Sequence, residues 1–412
     1  MTRSNPGVKL LDKAFGAATF GVCALWDCVR RLLVPRYRRG CLPDPQSVRS
    51  VLVIKLCCLG DGLLTIPAIR ALKSSYPRAT ITVLCTPRSH DAYVAQPFID
   101  EIILVNLTGL GGVKELLTRG AGGLGETLRA IRRARPDIAV DLDLYFKATP
   151  VLAFLSGAPV RAGFDTEGCS RAGLFTHSTP RKRTQHELLC FLDVVGALGI
   201  TTQDLSLSFP LSPGDHEAAT ASYPPAPLPC REGETATATA RLVALCPGSS
   251  RNWPQKQWPA EYFARVADNL VDRLGAGVVL LGAEHETEVH SQVLAAMTRP
   301  AVSLAGKTSV REMAAILVRC ELLVTNDTGP MHLAAALDVP TVAIFGPTDE
   351  RKWRPWHRRS RVVRAPVCDR APCYWLSTMP DCKTVHCLTQ LLPETVLAAA
   401  EDLLSEAADG AG

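Results

Sequence analysis

The 412-residue chain lacks several features that would place it in common classes of protein. Its net charge is only +5 at pH 7, with an isoelectric point near 8.5, which is too little for a protein that binds nucleic acid by general electrostatic attraction. The turn CCLGDG after the first predicted strand has no G-x-G-x-x-G, and the second predicted strand ends at Cys85 instead of a ribose-binding acid. No Walker-type lysine loop is present. The first half is therefore not expected to bind a dinucleotide.

A hydrophobic run long enough to span a bilayer is also missing at the N-terminus. The nearly uncharged stretch Ala14–Trp26 has 13 residues, whereas a membrane-spanning helix needs roughly 20. From Leu11 to Leu32, apolar residues recur at spacings of three and four, and arginines follow, which predicts an amphipathic helix. We expect residues 1–46 to form a basic segment at the interface of an anionic membrane. A helix packed on its own protein is the alternative, and a cleaved signal peptide is disfavoured because the charge follows the apolar run.

Cysteine is abundant, with fifteen residues, but the spacing is not that of a secreted disulfide scaffold. Most of these cysteines lie in apolar contexts, which indicates a reducing cytosolic compartment. Four near the C-terminus form C-x4-C-x8-C-x4-C: Cys368, Cys373, Cys382 and Cys387. Their number and type suit a structural zinc site, although the x4 spacings are wider than the usual x2. Thiols around an irregular loop are the alternative, and no catalytic metal is predicted.

Two series of apolar segments alternate with helical patterns, which predicts two α/β domains. A chain of this length, 47% hydrophobic, is too long for one ordinary core. The predicted strands are 51–55, 79–85, 101–105 and 137–142 in the first series, and 241–248, 277–282, 321–327 and 339–346 in the second. We expect doubly wound domains at 47–210 and 241–412, joined by a Pro-, Ala- and Thr-rich linker or surface loop at 211–240. Ligands of such domains bind beyond the carboxyl ends of the strands.

Polar groups follow two strands of the second series. Ser249, Ser250 and Lys256 lie between a strand and the next helix, where hydroxyls, backbone N–H groups and an ammonium suit a diphosphate. The structural alternative is a capped turn with a solvated lysine. Glu284 follows the next strand, where a carboxylate can accept hydrogen bonds from both hydroxyls of a ribose. Alternatively, its negative charge could do no more than interact favourably with the dipole of the following helix.

The segment NDTGPMH after the third strand of this series has the strongest pattern. Asp327 and Thr328 leave a buried strand, Gly329 allows close approach of a ligand, and Pro330 begins a helix whose first N–H groups are available. His332 lies in the first turn, where a core histidine bonded to the backbone is the alternative. Polar groups at three successive strand ends favour a binding site.

Several motifs in the same order resemble the glycosyltransferase family 9 enzymes, whose best-known members are bacterial lipopolysaccharide heptosyltransferases. The resembling segments are 51–73, 159–164, 186–199, the PGSS turn with Lys256, 282–286, 304–317, 323–349 and the cysteine-bearing tail. The resemblance implies a GT-B fold, with two Rossmann-like domains facing a central cleft. It also implies inverting transfer, without a metal or other cofactor, from a nucleotide sugar to a lipid-linked acceptor. The typical donor is ADP-heptose, and the transfer takes place at the cytoplasmic face of the inner membrane.

The resemblance also implies roles for single residues. Asp61, between Gly60 and Gly62, would be the base that removes the acceptor proton, with the glycines leaving room for two sugars; capping the following helix is its structural alternative. The donor-binding residues would be Lys256, Ser249 and Ser250 at the diphosphate, Glu284 at the ribose, Thr308 at the adenine, Asp327 at the sugar hydroxyls, and Thr328, Gly329 and His332 around the phosphates. The turn before Lys256 is longer than in the family, so the choice between Ser249 and Ser250 stays open.

The acceptor is specified least. Lys147 and Arg161 lie in the domain expected to face it and could meet phosphates or acidic sugars, or could belong to a solvated face. Within enzymes, the same fold with another nucleotide-sugar donor is an alternative. A non-catalytic glycolipid-binding scaffold is another, disfavoured because Asp61, Lys256, Glu284 and Asp327 are all present. A zinc-dependent nucleic-acid binder is disfavoured, because basic and aromatic residues do not alternate around the tail cysteines.

Overall fold

A computed structural model describes most of the chain. The described residues are 21–23, 25–26, 42–105, 123–144, 146, 148–167, 171–223, 241–251, 253–365, 368, 371–373, 382 and 385–409. The chain divides into two compact units, unit 1 (Met1–Ser206) and unit 2 (Leu207–Gly412). Of the predicted N-terminal helix, residues 21–23 and 25–26 are helical, and the rest lies outside the described residues. No helix in the described ranges is long and apolar enough to cross a membrane.

Unit 1 is built on a sheet of six parallel strands in the order β3-β2-β1-β4-β5-β6. The strands are β1 Ser50–Lys55, β2 Thr80–Cys85, β3 Glu101–Leu104, β4 Ile138–Asp141, β5 Val160–Asp165 and β6 His177–Pro180. Val51 of β1 pairs with Ile81 of β2 on one side and with Ile138 of β4 on the other. The central strands are continuous apolar runs because helices cover both faces of a parallel sheet.

Beyond the N-terminal helical residues, several helices of unit 1 lie in the described ranges. They are α1 Leu59–Leu64, α2 Ile66–Ser75, α3 Gly123–Arg133, α4 Ala148–Leu155 and α5 Glu187–Gly196. One core cluster packs Ile131 of α3 and Leu152 of α4 against Leu52, Ile54 and Ala139 of the sheet. The helices thus shield the strands and leave the loops at the strand ends to carry polar groups.

Unit 2 repeats the same topology, with strand order β12-β11-β10-β7-β8-β9. Its strands are β7 Leu242–Cys246, β8 Gly277–Leu280, β9 Val302–Ser303, β10 Leu322–Asn326, β11 Thr341–Ile344 and β12 Ser360–Val363. Its helices are α6 Pro213–Ser222, α7 Ala260–Leu274, α8 Thr287–Ala296, α9 Val310–Leu317, α10 Gly329–Ala336, α11 Glu350–Trp353, α12 His386–Thr389 and α13 Pro393–Asp409. The prediction of two doubly wound, Rossmann-like domains is confirmed.

Each sheet reverses its winding direction at one point, between β1 and β4 in unit 1 and between β7 and β10 in unit 2. Ligands of open α/β sheets bind beyond the carboxyl ends of the strands at such a point. The residues that follow Lys55, Asp141, Cys246 and Asn326 therefore occupy the positions best placed for chemistry.

Helix α6 differs from the expectation that residues 211–240 form a linker or loop. The helix begins with a capping box in which Ser212 and Asp215 each accept a hydrogen bond from the other's backbone N–H. Arg311 of α9 donates to both Asp215 oxygens, at 2.8 and 2.7 Å, and to the Pro210 carbonyl at 2.7 Å. The contacts with Arg311 join α6 to α9, which lies about a hundred residues further along the chain. The composition of 211–240 alone therefore did not predict the helix. Residues 224–240 lie outside the described ranges.

Candidate active site

The carboxylate of Asp61 lies just beyond the carboxyl end of β1, in the first turn of α1. Its side chain is 14% exposed, and one oxygen is 3.9 Å from the Lys55 ammonium. The same ammonium is 3.8 Å from Asp143, which follows β4. One lysine thus joins the two strand ends at which the sheet of unit 1 reverses direction.

Lys55 is a candidate site residue that the sequence analysis missed. The signal for it was a lone charge at the end of the apolar strand VLVIK. Its side chain is fully buried; the ammonium donates to the Leu142 carbonyl at 3.2 Å and lies 4.7 Å from the centre of the Phe191 ring. Burial alone would lower the pKa of Lys55, but the Asp61 and Asp143 carboxylates outweigh burial and raise it. Lys55 therefore stays a cation beside the first turn of α1, which bears Asp61.

Asp143 and Asp141 anchor the loop after β4, and neither was predicted. The Leu56 N–H donates to Asp143 at 2.6 Å, and the Asp143 N–H donates to Asp141 at 2.9 Å. Asp141 forms a fully buried ion pair with Arg171 at 2.5 Å. Burial raises the pKa of Asp141 to about 6, against the opposing effect of Arg171, and burial also raises the pKa of Asp143. Buried charges of this kind persist only when they are paired, so this network fixes the loop positions around Asp61.

Gly62 has a different role from the one expected. A Cβ at this position would lie 3.0 Å from the Ala92 Cβ and 3.2 Å from the Tyr93 hydroxyl. The missing side chain therefore lets α1 pack closely against residues 92 and 93, and it does not leave room for a sugar. The expectation for Gly62 was wrong because the packing partner lies thirty residues further along the chain, where sequence patterns give no sign of contact.

Of the two expected acceptor residues, Arg161 does not lie at an accessible surface. Arg161 on β5 is fully buried, and its guanidinium donates to the carbonyls of Leu174 at 2.8 Å and Ala158 at 2.7 Å. It also lies 5.7 Å from the centre of the Phe154 ring. Arg161 thus belongs to the scaffold of unit 1, which corrects its assignment to the acceptor. Lys147 lies outside the described residues.

In unit 2, the turn after β7 brings three of the predicted donor residues into a compact segment. The buried Ser249 hydroxyl donates to the Trp253 carbonyl at 3.0 Å, and the Trp253 N–H donates to the Ser250 carbonyl at 2.8 Å. Lys256 ends the short 3-10 helix Pro254–Lys256 that follows. Since the Ser249 hydroxyl is engaged within the turn, Ser250 is the better placed of the two hydroxyls to meet a ligand.

Lys256 and Asp327 meet directly, although 71 positions separate them in sequence. The ammonium donates to the Asp327 carboxylate at 2.7 Å, with side chains only 16% and 7% exposed. The pair lies at the carboxyl ends of β7 and β10, where the sheet of unit 2 reverses direction. A cation and an acceptor held together there can contact adjacent anionic and hydroxyl groups of one ligand.

Asn326 was also missed by the sequence analysis. This buried amide donates to the carbonyls of Pro247 at 2.8 Å and Gly248 at 3.1 Å, and it accepts from the Trp258 N–H at 3.1 Å. It therefore ties β10 to both ends of the turn that bears Lys256. A polar amide at the end of the run LLVTN was the available signal, since buried polar side chains need partners.

Helix α10 begins beside the Lys256–Asp327 pair. Thr328 is its N-cap residue, and the helix starts with Gly329 followed by proline. A Cβ at Gly329 would meet no atom within 4 Å, so packing does not require glycine there, and the open space is available to a ligand. His332, in the first turn, is buried. First-turn N–H groups of a helix are suited to bind anions.

Glu284 and Thr308 lie on two loops that touch. Glu284 is exposed after β8, and a Cβ at Gly306, whose φ is +68°, would lie 2.8 Å from the Glu284 Cα. Thr308 follows in the second loop; its hydroxyl has no hydrogen-bond partner among the described residues. Glu286, by contrast, packs against Gly248 and Gly282, and burial raises its pKa. Glu284 is therefore the acid that is free to meet a ligand.

The cysteine-rich tail shows no compact ligand cluster in the described ranges. No disulfide joins its cysteines there, and no three of its ligand atoms lie within 4.8 Å of one another. The zinc site of Cys368, Cys373, Cys382 and Cys387 stays a prediction. Across the described residues, the group that meets this distance test is Cys57, Cys58 and Asp61.

Comparison with known proteins identifies the family. The model of glycosyltransferase family 9 (heptosyltransferase) matches residues 125–379. The chain belongs to glycosyltransferase family 9. The resemblance in the sequence motifs is thereby confirmed, and the chain is a glycosyltransferase.

Three relatives of this family 9 chain illustrate the extent of the similarity. Lipopolysaccharide heptosyltransferase 2 of Salmonella typhimurium is 28% identical over 332 residues, covering 76% of this chain and 88% of that protein. The structure of a family 9 glycosyl transferase from Veillonella parvula has a TM-score of 0.71 and 28% identity, covering 87% and 98% of the two chains. E. coli heptosyltransferase WaaC with ADP has a TM-score of 0.63 and 19% identity, covering 86% and 99%, and shows the shared fold.

Proposed function

We propose that this glycosyltransferase moves a heptose from ADP-heptose to a lipopolysaccharide core or another lipid-linked glycan, by inverting transfer without a metal. The observation that supports the proposal best is the Lys256–Asp327 pair, set where the sheet of unit 2 reverses direction. The names of the relatives, lipopolysaccharide heptosyltransferase 2 and a heptosyltransferase with ADP, supply the donor and acceptor class.

The donor site of the proposal lies in unit 2. The Lys256 ammonium neutralises the diphosphate, which the Ser250 hydroxyl and the first N–H groups of α10 also contact. Asp327 accepts from hydroxyls of the sugar, and its ion pair with Lys256, at 2.7 Å, offsets the repulsion between its carboxylate and the phosphates. Glu284 holds the ribose, and the Thr308 hydroxyl supplies a free polar group beside the adenine.

The remaining donor residues complete the phosphate site. Ser249 holds the turn by its bond to Trp253, and Thr328 occupies the N-cap position of α10, with its hydroxyl donating to the Asn326 carbonyl at 3.3 Å. Gly329 leaves the space through which a phosphate approaches the helix, and His332 lies one turn further in. Lys256 supplies positive charge that a divalent cation supplies at many other diphosphate sites, which is the reason to propose transfer without a metal.

Asp61 is the proposed general base. The acceptor oxygen attacks the anomeric carbon while the bond from that carbon to the diphosphate breaks, and Asp61 takes the hydroxyl proton. The diphosphate leaves as an anion, stabilised by Lys256. Lys55, 3.9 Å from the Asp61 carboxylate, holds that side chain in place by electrostatic attraction.

Peripheral contact with an anionic membrane, on its cytoplasmic face, is part of the proposal. Three apolar side chains of the N-terminal helical residues are largely exposed: Val22 by 72%, Leu25 by 71% and Trp26 by 59%. Their spacing of three and four places them on one side of a helix, while Cys23 packs against Phe154 and Leu174. An exposed apolar face with an interfacial tryptophan favours binding at the membrane surface.

The donor site is tested by calorimetric titration with ADP, GDP, UDP and CDP, without added metal. We expect selective binding of ADP, lost by about tenfold or more in Lys256→Met, because a buried charged hydrogen bond contributes about 1.5–3 kcal/mol. Lys182→Met is the matched control, since Lys182 is an exposed lysine of unit 1. Preference for another nucleotide would favour another donor. Absence of binding to any nucleotide by folded protein would favour a glycolipid-binding scaffold.

A further inference from the structure

Two adjacent cysteines, Cys57 and Cys58, immediately precede helix α1, whose first turn bears Asp61. Neither has a part in the proposed transfer. We propose that Cys57, Cys58 and Asp61 form a binding site for one thiophilic divalent cation, Zn²⁺, and that the bound ion blocks the Asp61 carboxylate. Their ligand atoms all lie within 4.8 Å of one another, and all three side chains are partly buried.

The separation of the two sulfur atoms fits zinc. The Sγ atoms are 3.7 Å apart. In a tetrahedral site with Zn–S distances of about 2.3 Å, two sulfurs are separated by about 3.8 Å. The sulfur-to-oxygen edge of such a site is about 3.6 Å, so the Asp61 oxygen needs to move by roughly 1 Å at most, which side-chain rotation supplies. Sulfur and carboxylate are both established zinc donors.

The charge around the site also suits the ion. Two thiolates and one carboxylate bring a charge of −3 to Zn²⁺, and the remaining −1 lies beside the Lys55 ammonium, which is 3.9 Å from the Asp61 carboxylate and also 3.8 Å from Asp143. Binding releases the two thiol protons to solvent. Three protein ligands leave the fourth tetrahedral position to water, which reaches the site because none of the three side chains is fully buried.

The consequence for activity rests on the proposed function. A zinc ion bound to one oxygen of the Asp61 carboxylate withdraws electron density from both oxygens, so the carboxylate becomes too weak a base to take the proton of the acceptor hydroxyl. Zinc therefore inhibits transfer, and a chelator restores it. Nucleotide binding, which is assigned to unit 2, is left unchanged by the ion.

Zinc binding is measured first, without any substrate. Reduced full-length protein is titrated with Zn²⁺ against a chromophoric chelator, and Co²⁺ is added separately to detect thiolate-to-cobalt charge-transfer absorption. We expect the variant Cys57→Ser/Cys58→Ser to lose one bound zinc equivalent and to weaken this site by more than roughly 100-fold, since even loss of an outer partner costs 10–100-fold. The matched control, Cys368→Ser/Cys373→Ser, keeps that equivalent, although it can lose a zinc bound by the tail.

Two outcomes would overturn the site: an unchanged zinc stoichiometry and affinity in a folded Cys57→Ser/Cys58→Ser variant, or no cobalt–thiolate absorption that depends on these two cysteines. The single variant Cys58→Ser repeats the measurement if the double variant does not fold. Turnover assays with ADP-heptose then test the blockade. Wild-type turnover that is unaffected by saturating zinc overturns the inhibition, whereas the absence of any turnover counts against the proposed function and leaves the zinc measurement standing.

Discussion

Asp61 and Lys256 each have a partner of opposite charge within their own unit. Lys55 lies 3.9 Å from Asp61, and Asp327 accepts from Lys256 at 2.7 Å. Both partners are almost fully buried, so the side chains are held before any substrate arrives. Positioning that is complete in the free protein lowers the reorganisation required during reaction.

The substitution Asp61→Asn tests the proposed base. Asparagine keeps the size of the side chain but cannot accept the acceptor proton, so we expect kcat to fall by about 10²–10⁴-fold with the nucleotide Kd unchanged. Single-turnover kinetics and calorimetry measure the two quantities. Asp204→Asn, at an exposed ion pair with Arg70, is the control and should behave as wild type. Near-normal turnover in Asp61→Asn would remove Asp61 as the base.

His290 makes unit 2 sensitive to acid. The side chain is 1% exposed, its Nδ1 is 2.9 Å from the Ser303 hydroxyl, and burial lowers its pKa to about 4 from 6.5. Between pH 6.5 and 4 the unfolded chain binds the proton more readily, so the free energy of unfolding falls as the pH falls. The loss at pH 5 relative to pH 7 is about 2 kcal/mol.

His290→Gln removes this titration while keeping a polar side chain. From pH 7 to pH 5, we expect the unfolding free energy of the wild type to fall by about 2 kcal/mol more than that of the variant. Urea denaturation at the two pH values measures it. The exposed His216→Gln serves as the control. A difference that is the same at both pH values would mean that His290 is not held neutral in the folded protein.

Among the elements, α6 illustrates a helix fixed mainly by its neighbour. Its sequence, PGDHEAATAS, gives no apolar face, and only Ala219 is buried. The contacts that hold it are polar: Arg311 of α9 binds Asp215 and lies 5.2 Å from the centre of the Phe209 ring, and Ser222 donates to Glu312 at 2.7 Å. The Arg311 guanidinium, with the bonds from Ser212, holds the pKa of Asp215 well below its usual range. Such a helix depends on a few long-range bonds.

Arg311→Met should release α6. Loss of the bidentate pair removes about 1.5–3 kcal/mol of local stabilisation, so we expect amide hydrogen exchange in 213–222 to become at least tenfold faster, with β7 unaffected. Arg273→Met is the matched control, because its pair with Glu401 is exposed on both sides and surface pairs contribute little. Equal exchange rates in wild type and Arg311→Met would show that α6 is held by other contacts.

At the scale of the whole molecule, each unit has an apolar core of its own among the described residues. One large apolar cluster, which includes Trp258, Phe263 and Leu397, consists of residues of unit 2, and another, which includes Leu52 and Phe175, consists of residues of unit 1. Helices of the same unit pack against each sheet. Domains with their own cores generally fold as units.

Residues 207–412 alone should therefore fold and bind ADP. At a concentration of 100 times the Kd, the nucleotide adds about 2.7 kcal/mol to the unfolding free energy, which corresponds to a rise in Tm of about 5–10 °C for a unit of this size. Differential scanning calorimetry measures it, with residues 42–206 as the control that should not respond. A folded 207–412 fragment whose Tm does not change with ADP would place part of the donor site outside unit 2.

Much of the fold followed from apolar runs, because buried parallel strands have continuous hydrophobic sequences. Each predicted run, such as 51–55 and 241–248, coincides with a strand to within a few residues. The strands that were not predicted lack that signal: β5 contains the buried Arg161, β6 is the polar edge strand HSTP, β9 has two residues, and β12 is the short edge strand SRVV with only two apolar residues. For these, the partners that make burial favourable come from elsewhere in the chain.

The two doubly wound series, the family and the loops that follow β1, β7 and β10 could be predicted from local sequence patterns, because periodicity sets the strands and a parallel sheet brings their carboxyl ends to one edge. The tertiary structure alone decided that Lys256 bonds Asp327, that Lys55 lies between Asp61 and Asp143, that Arg161 is buried and that Gly62 serves packing. These contacts join residues that are mostly tens of positions apart. Helical crossovers bring such residues together, and no local pattern encodes which side chains then meet.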